Sequence, residues 1–179
     1  MRSVAVALLV AVLAVAATGC GGDESTSSAE EWVDAFCTAA LDWENEIESL
    51  AEEASDLSAL STDDVRALGE DADAATDEFI DEVRELGAPD TESGEEIDQA
   101  ADELTDAIEA EKEEIREAVE DVDDITEFGT AAATVSTSFG QMGTELGEML
   151  QAIGSAEADD ELRTAYEESE ACDELREDE

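Results

Sequence analysis

Residues 29–57 read AEEWVDAFCTAALDWENEIESLAEEASDL. Within them Trp32, Phe36, Ala40, Trp43, Ile47, Leu50, Ala54 and Leu57 recur at alternating steps of three and four, the period of one helix face. The acidic residues Asp42, Glu44, Glu46, Glu48, Glu52 and Glu53 spread over the other faces. The segment predicts an amphipathic helix with its aromatic residues turned inward.

The same period continues outward from it. A second stripe holds Val65, Leu68, Ala72, Ala75, Phe79, Val83 and Leu86, opening after the capping cluster Ser61-Thr62-Asp63. Gly87 suits the residue just past its end, and Pro89 prevents continuation. Residues 87–94 (GAPDTESG) form the clearest loop. A third stripe runs Ile97, Ala101, Leu104, Ile108, Ile115, Ala118 and Val122, with Glu111 standing where an apolar residue is due. Either its stem snorkels at the edge of the stripe or its carboxylate is buried. Alternating strand-like runs of Val, Ile and Thr between tight turns are absent.

A fourth segment, about 125–153, differs in composition. Phe128, Ala132, Val135, Phe139, Met142, Leu146, Met149 and Ile153 make its stripe, and no residue from Phe128 to Thr144 is charged, in a chain that is 34% charged. Gly129, Gly140, Gly143 and Gly147 also fall here, each weakening a helix interior by roughly 1 kcal/mol relative to Ala. Close approach to a neighbouring backbone is one compensation. This helix is therefore expected to be the most enclosed, with Phe128, Val135, Phe139 and Met142 as core. The alternative is that these residues form a face left open for a partner. A fifth segment begins near Asp159-Asp160 and turns Leu162, Tyr166, Cys172 and Leu175 inward.

The N-terminus carries different information. Arg2 precedes Val4 to Ala17, an uncharged run of Val, Ala and Leu shorter than the ~20 residues of a membrane span. It fits the apolar region of an export signal. The run ends in Ala17-Thr18-Gly19-Cys20, which resembles a bacterial lipobox with Ala17 in the place usually held by Leu. The resemblance implies cleavage between Gly19 and Cys20 and lipidation of Cys20. The expected organisation is a signal peptide over 1–19, a flexible tether over 20–28 and an acidic helical domain over 29–179. The expected fold is all-α, an antiparallel bundle of four to five amphipathic helices. The expected location is the extracytoplasmic face of the cell membrane, reached through the lipid.

Without Cys20, Cys37 and Cys172 remain. An even pair in an exported chain points to one disulfide, closing a loop of about 135 residues and worth roughly 4–5 kcal/mol by the chain-entropy argument. Two unpaired buried thiols are the alternative. Two Cys without His make a poor metal site.

Charge and composition exclude much. The 179 residues hold 54 Asp plus Glu against 7 Lys plus Arg, with no His, for a formal net charge of −47. Nucleic acid is not an expected partner, because phosphate contacts need Lys and Arg. Chemistry and metal ligation by His are absent with the residue. There is no Gly-rich phosphate loop, no Gly-x-Ser-x-Gly and no Cys/His dyad. The stretch from Asp71 to Asp77 lacks the glycine and oxygen spacing of a calcium loop. No enzyme activity, cofactor or metal is expected. The acidity keeps the domain soluble and repelled from anionic polymers; a saline habitat or diffuse cation binding are the other readings. An interaction or structural role at the cell surface is the main expectation. The alternative is a ligand module with an apolar pocket lined by Trp32, Trp43, Phe79, Phe128 and Phe139.

Four stretches carry a wider resemblance: ATGC at 17–20, AFCTAALDWENEIESL at 35–50, LGAPDTESGEE at 86–96 and ELRTAYEESEACDEL at 161–175. Together they resemble a group of small exported lipoproteins of actinobacteria. The resemblance implies a surface lipoprotein, a Cys37–Cys172 pairing and no catalytic residues. The chain is more acidic than that group.

Overall fold

Residues 27–54, 62–120, 125–155 and 159–177 are described in the computed structural model, and every regular element among them is an α-helix. They are α1 (Ala29–Ala54), α2 (Thr62–Leu86), α3 (Gly94–Glu120), α4 (Ile125–Gly154), α5 (Asp160–Glu168) and α6 (Glu170–Glu177). The all-helical class expected from the stripes is borne out.

The helix ends follow local chemistry. Ser28 opens α1 as a capping box: its hydroxyl accepts from the Glu31 N–H, while the Glu31 carboxylate accepts from the Ser28 N–H and hydroxyl. The last residue of the expected tether is thus the cap of the first helix. Gly87 ends α2 at φ 58°, a left-handed conformation that suits glycine. Asp159 opens α5 by accepting from the N–H groups of Glu161 and Leu162.

Directions can be read from the contacts. The Trp32 indole N–H donates to the Gly87 carbonyl, and the Trp43 indole N–H donates to the Thr76 hydroxyl. Moving forward along α1 moves the partner backward along α2, so the two run antiparallel. On the other flank of α2, Arg84 meets Asp106 and Glu109, while Arg116 reaches back to Asp73. Helices α2 and α3 are therefore antiparallel as well. Helix α4 packs chiefly against α3, and α5 and α6 return to α1. Ser169 bonds Asp34 one turn before Cys172 meets Cys37 on the same helix, so α6 sets off in the direction of α1.

Three expectations need correction. The fifth segment is two helices, giving six among the described residues rather than four to five. The break falls at Ser169, whose extended backbone (φ −73°, ψ 124°) ends α5 and whose hydroxyl accepts from the Cys172 N–H at the start of α6. A capping serine inside an apolar stripe outweighed the stripe. Second, among the described residues α1 is enclosed more than α4. Trp32, Val33, Phe36, Cys37 and Ala40 are fully buried, because α2, α5 and α6 all cover α1. Third, the α4 stripe is rotated by one position in its first half. Ala131 and Ser138 are buried where Ala132 was expected, and Ala132 is exposed. The apolar signal there was too weak to fix the face, since Ala, Ser and Thr differ little in what they gain from burial.

Candidate functional site

The residues expected to anchor the chain, Gly19 and Cys20, lie outside the described residues, as do the signal 1–19 and most of the tether. The chain enters view at Ser27, whose carbonyl accepts from the Asp90 N–H at 2.8 Å. That bond fixes where the N-terminal segment leaves the body: beside the 87–93 loop and the first turn of α1. Among the described residues no helix is long and apolar enough to cross a membrane.

The two remaining cysteines are joined. Cys37 and Cys172 form a disulfide with Cα atoms 5.1 Å apart, and both are fully buried. Their position on α1 and α6 ties the last helix to the first. On the same helix as Cys37, the rings of Trp32 and Phe36 stack 5.4 Å apart.

The same end of the molecule holds a buried carboxylate that the sequence marks only as a helix start. Asp159 is 5% exposed. It accepts from the Ser93 N–H at 3.3 Å as well as from Glu161 and Leu162, so one side chain clamps the 87–93 loop to the cap of α5. Burial alone would push its acidity down, but Thr91 and the N–H groups of Leu162, Ser93 and Glu161 favour the charged form. Together they hold the carboxyl below its ordinary pKa. The Asp-Asp start at 159–160 was the legible signal; the partner at Ser93, 66 residues away, was not.

The four residues named for a partner face or core divide. Met142 is buried at 1% exposure. Val135 and Phe139 are half-buried, and the side chain of Phe128 lies outside what is described. Around them the uncharged stretch shows much of itself to solvent: Thr130, Ala133, Ser136, Thr137, Gly140 and Gly143 are exposed. The glycines do not serve close packing at two of these places, because a Cβ on Gly140 or Gly143 would meet nothing within 4 Å. Inside the helix, the Ser138 hydroxyl is buried without a hydrogen-bond partner among the described residues. The Glu111 oxygen Oε2 on α3 is in the same state, although the residue as a whole is only half-buried.

The expected aromatic pocket divides too. Trp32 packs against Phe36, away from Trp43, which stacks on Phe79 at 5.3 Å. Trp43 and Phe79 instead underlie an open trough of about 360 Å³ between α1 and α2. A wider hollow of about 810 Å³ lies where Gly140, Gly143 and Gly147 of α4 face Leu175 of α6. No group of three or more acidic or Cys residues among the described residues is placed to hold a metal ion.

Among the described residues, fold and fastenings define a strongly acidic helical body closed by the Cys37–Cys172 disulfide. No family model, no characterised protein and no solved structure matches the chain.

Proposed function

We propose that the protein is a lipid-anchored lipoprotein on the extracytoplasmic face of the cell membrane, with its helical body acting by interaction and not by catalysis. The observation that carries this is the N-terminal order Arg2, the apolar run Val4–Ala17 and Ala17-Thr18-Gly19-Cys20. In this reading the signal 1–19 is removed, Cys20 takes the lipid, and the body is the antiparallel bundle of the actinobacterial lipoprotein group that it resembles. Two or three acyl chains, at about 0.8 kcal/mol per buried methylene, suffice to hold a soluble body at a bilayer.

The buried Cys37–Cys172 disulfide supports export, since such bonds persist in oxidising compartments. The six residues from Gly21 to Thr26 can span at most about 22 Å, so the body stays near the bilayer and is held by the end carrying the 87–93 loop. The net charge of −47 disfavours close approach of the body to anionic lipid.

The test is palmitate labelling and membrane fractionation of cells producing the protein or its Cys20→Ser variant. Label is expected in the parent and not in the variant, and the variant's signal is expected to stay uncleaved. Equal processing and membrane retention of both would overturn the reading.

A further inference from the structure

The fastenings of the body gather in one half of it. The Cys37–Cys172 disulfide, the Trp32 bond to Gly87, the Ser27 bond to Asp90 and the Asp159 bond to Ser93 all lie in the half that carries the 87–93 loop. That loop joins α2 to α3. At the opposite end the chain joins α1 to α2 and α3 to α4, so no connection links the two hairpins there. Helices α2 and α3 also pack less extensively on each other than either does on its hairpin partner.

Burial changes at one level on all four long helices. On α1, Trp43 is buried, while Ile47, Leu50 and Ala54, the next residues of the same stripe, are half-buried. On α2, Thr76 and Phe79 are buried, while Ala72, Leu68 and Val65 are half-buried. On α3 the change falls between Ile108 and Ile115, and on α4 between Met142 and Phe139. The inner surface is thus sealed in the fastened half and partly open in the other. The hollow of about 810 Å³, lined by Glu44 of α1 and by the glycines of α4, opens at the same level.

Two cations stand at this boundary. Thr76 takes the Trp43 indole N–H, and Asp77, the next residue, meets Lys112 across the α2–α3 seam. Lys112 also meets Asp73, as does Arg116 one turn further along α3. Only 12% of the Lys112 side chain is exposed, so solvent ions screen its pairs little. Arg66, nearer the far end of α2, pairs with Asp63 within its own helix and links nothing. We propose that the hairpins α1–α2 and α3–α4 part at their far ends in one cooperative step, pivoting at the 87–93 loop, with Lys112 and Arg116 as the clasp that opposes it. Parting separates acidic helices and uncovers the inner faces that hold Ile47, Leu50, Val135 and Phe139. Those faces are already partly in water, so less apolar burial opposes their opening than in the fastened half. This inference does not depend on how the chain is anchored.

The test is amide hydrogen exchange of the whole protein, disulfide intact, over a series of low urea concentrations. Amides in the far halves of α1 to α4 are expected to exchange at least tenfold faster than those in the fastened halves. They are also expected to share one urea slope, because a cooperative opening exposes a common surface. The double variant Lys112→Gln/Arg116→Gln removes the clasp. It should speed exchange in the far halves at least tenfold and leave the fastened halves within about twofold. The control variant Arg66→Gln/Arg163→Gln removes the same charge from pairs that lie within single helices, and should match the parent in both halves. Equal protection along the four helices would overturn the proposal. So would exchange that is independent of urea and fades turn by turn from the helix ends, which is simple fraying. Equal acceleration of both halves in the clasp variant would reduce Lys112 and Arg116 to contributors to global stability and overturn it too. Equal acceleration in the control would assign the effect to net charge, with the same consequence.

Discussion

The indole N–H of Trp32 donates to the carbonyl of Gly87 at 2.6 Å, joining the first turn of α1 to the residue that ends α2. The turn at Gly87 depends on backbone geometry that few residues allow. Gly87 has φ 58° with open space around it, so Gly87→Ala meets only the left-handed backbone penalty, about 1–2 kcal/mol. Gly94, at the start of α3, is different: a Cβ there would lie 2.1 Å from the Pro89 carbonyl oxygen. Gly94→Ala should therefore destabilise more than Gly87→Ala in urea unfolding, because the loop itself must move.

The disulfide should be the largest single contribution to stability. Its sequence separation of 135 residues places the entropic effect at roughly 4–5 kcal/mol. The double variant Cys37→Ala/Cys172→Ala should lose about that much in denaturant unfolding and lose order first in α5 and α6, which hydrogen exchange would show. A loss below ~1 kcal/mol would mean that the two short helices are held by their apolar contacts alone.

Asp159 should give stability a defined pH dependence. Its carboxyl pKa is lowered in the folded protein by hydrogen bonds that outweigh burial. The contribution is therefore complete above the unfolded carboxyl value, near ~3.9, and is lost as pH falls through the lower folded value. Asp159→Asn should cost about 1–2 kcal/mol at neutral pH. The gap between parent and variant should hold from pH ~8 to ~5 and shrink below pH ~4. A gap that stays constant down to pH ~2 would remove the charge from the explanation.

Gly140 and Gly143 should be replaceable with a gain. Both lie inside α4, and a methyl group added at either would meet nothing within 4 Å beyond its own turn of helix. Each Gly→Ala change should raise stability by about 0.5–1 kcal/mol through helix propensity alone. The measurement is the denaturation midpoint. A loss at either position would mean that the hollow facing Leu175 does not tolerate a methyl group.

Charge should make the fold salt-dependent. A net charge of −47 with six cations in the described body leaves most carboxylates facing like charge. Added salt shortens the reach of that repulsion to ~8–10 Å near physiological strength. The melting temperature should rise from low salt to about 0.5 M; a flat or falling trend would contradict the repulsion.

The sequence by itself determined the helical class, because stripes at steps of three and four leave no strand-compatible segment of any length. It also determined the 87–94 loop, through Gly87 and Pro89, and the stops and starts that local capping residues set. Tertiary structure alone decided the rest. In the first half of α4 the inward face was not legible, since Ala131 and Ala132 are chemically identical and only packing separates them, whereas Met142, Leu146, Met149 and Ile153 are buried as their spacing predicts. The clamp of Asp159 on Ser93 and the meeting of Arg84 with Asp106 and Glu109 were decided there as well. Each of these joins residues far apart in the chain, and local period carries no information about which distant side chain will arrive opposite.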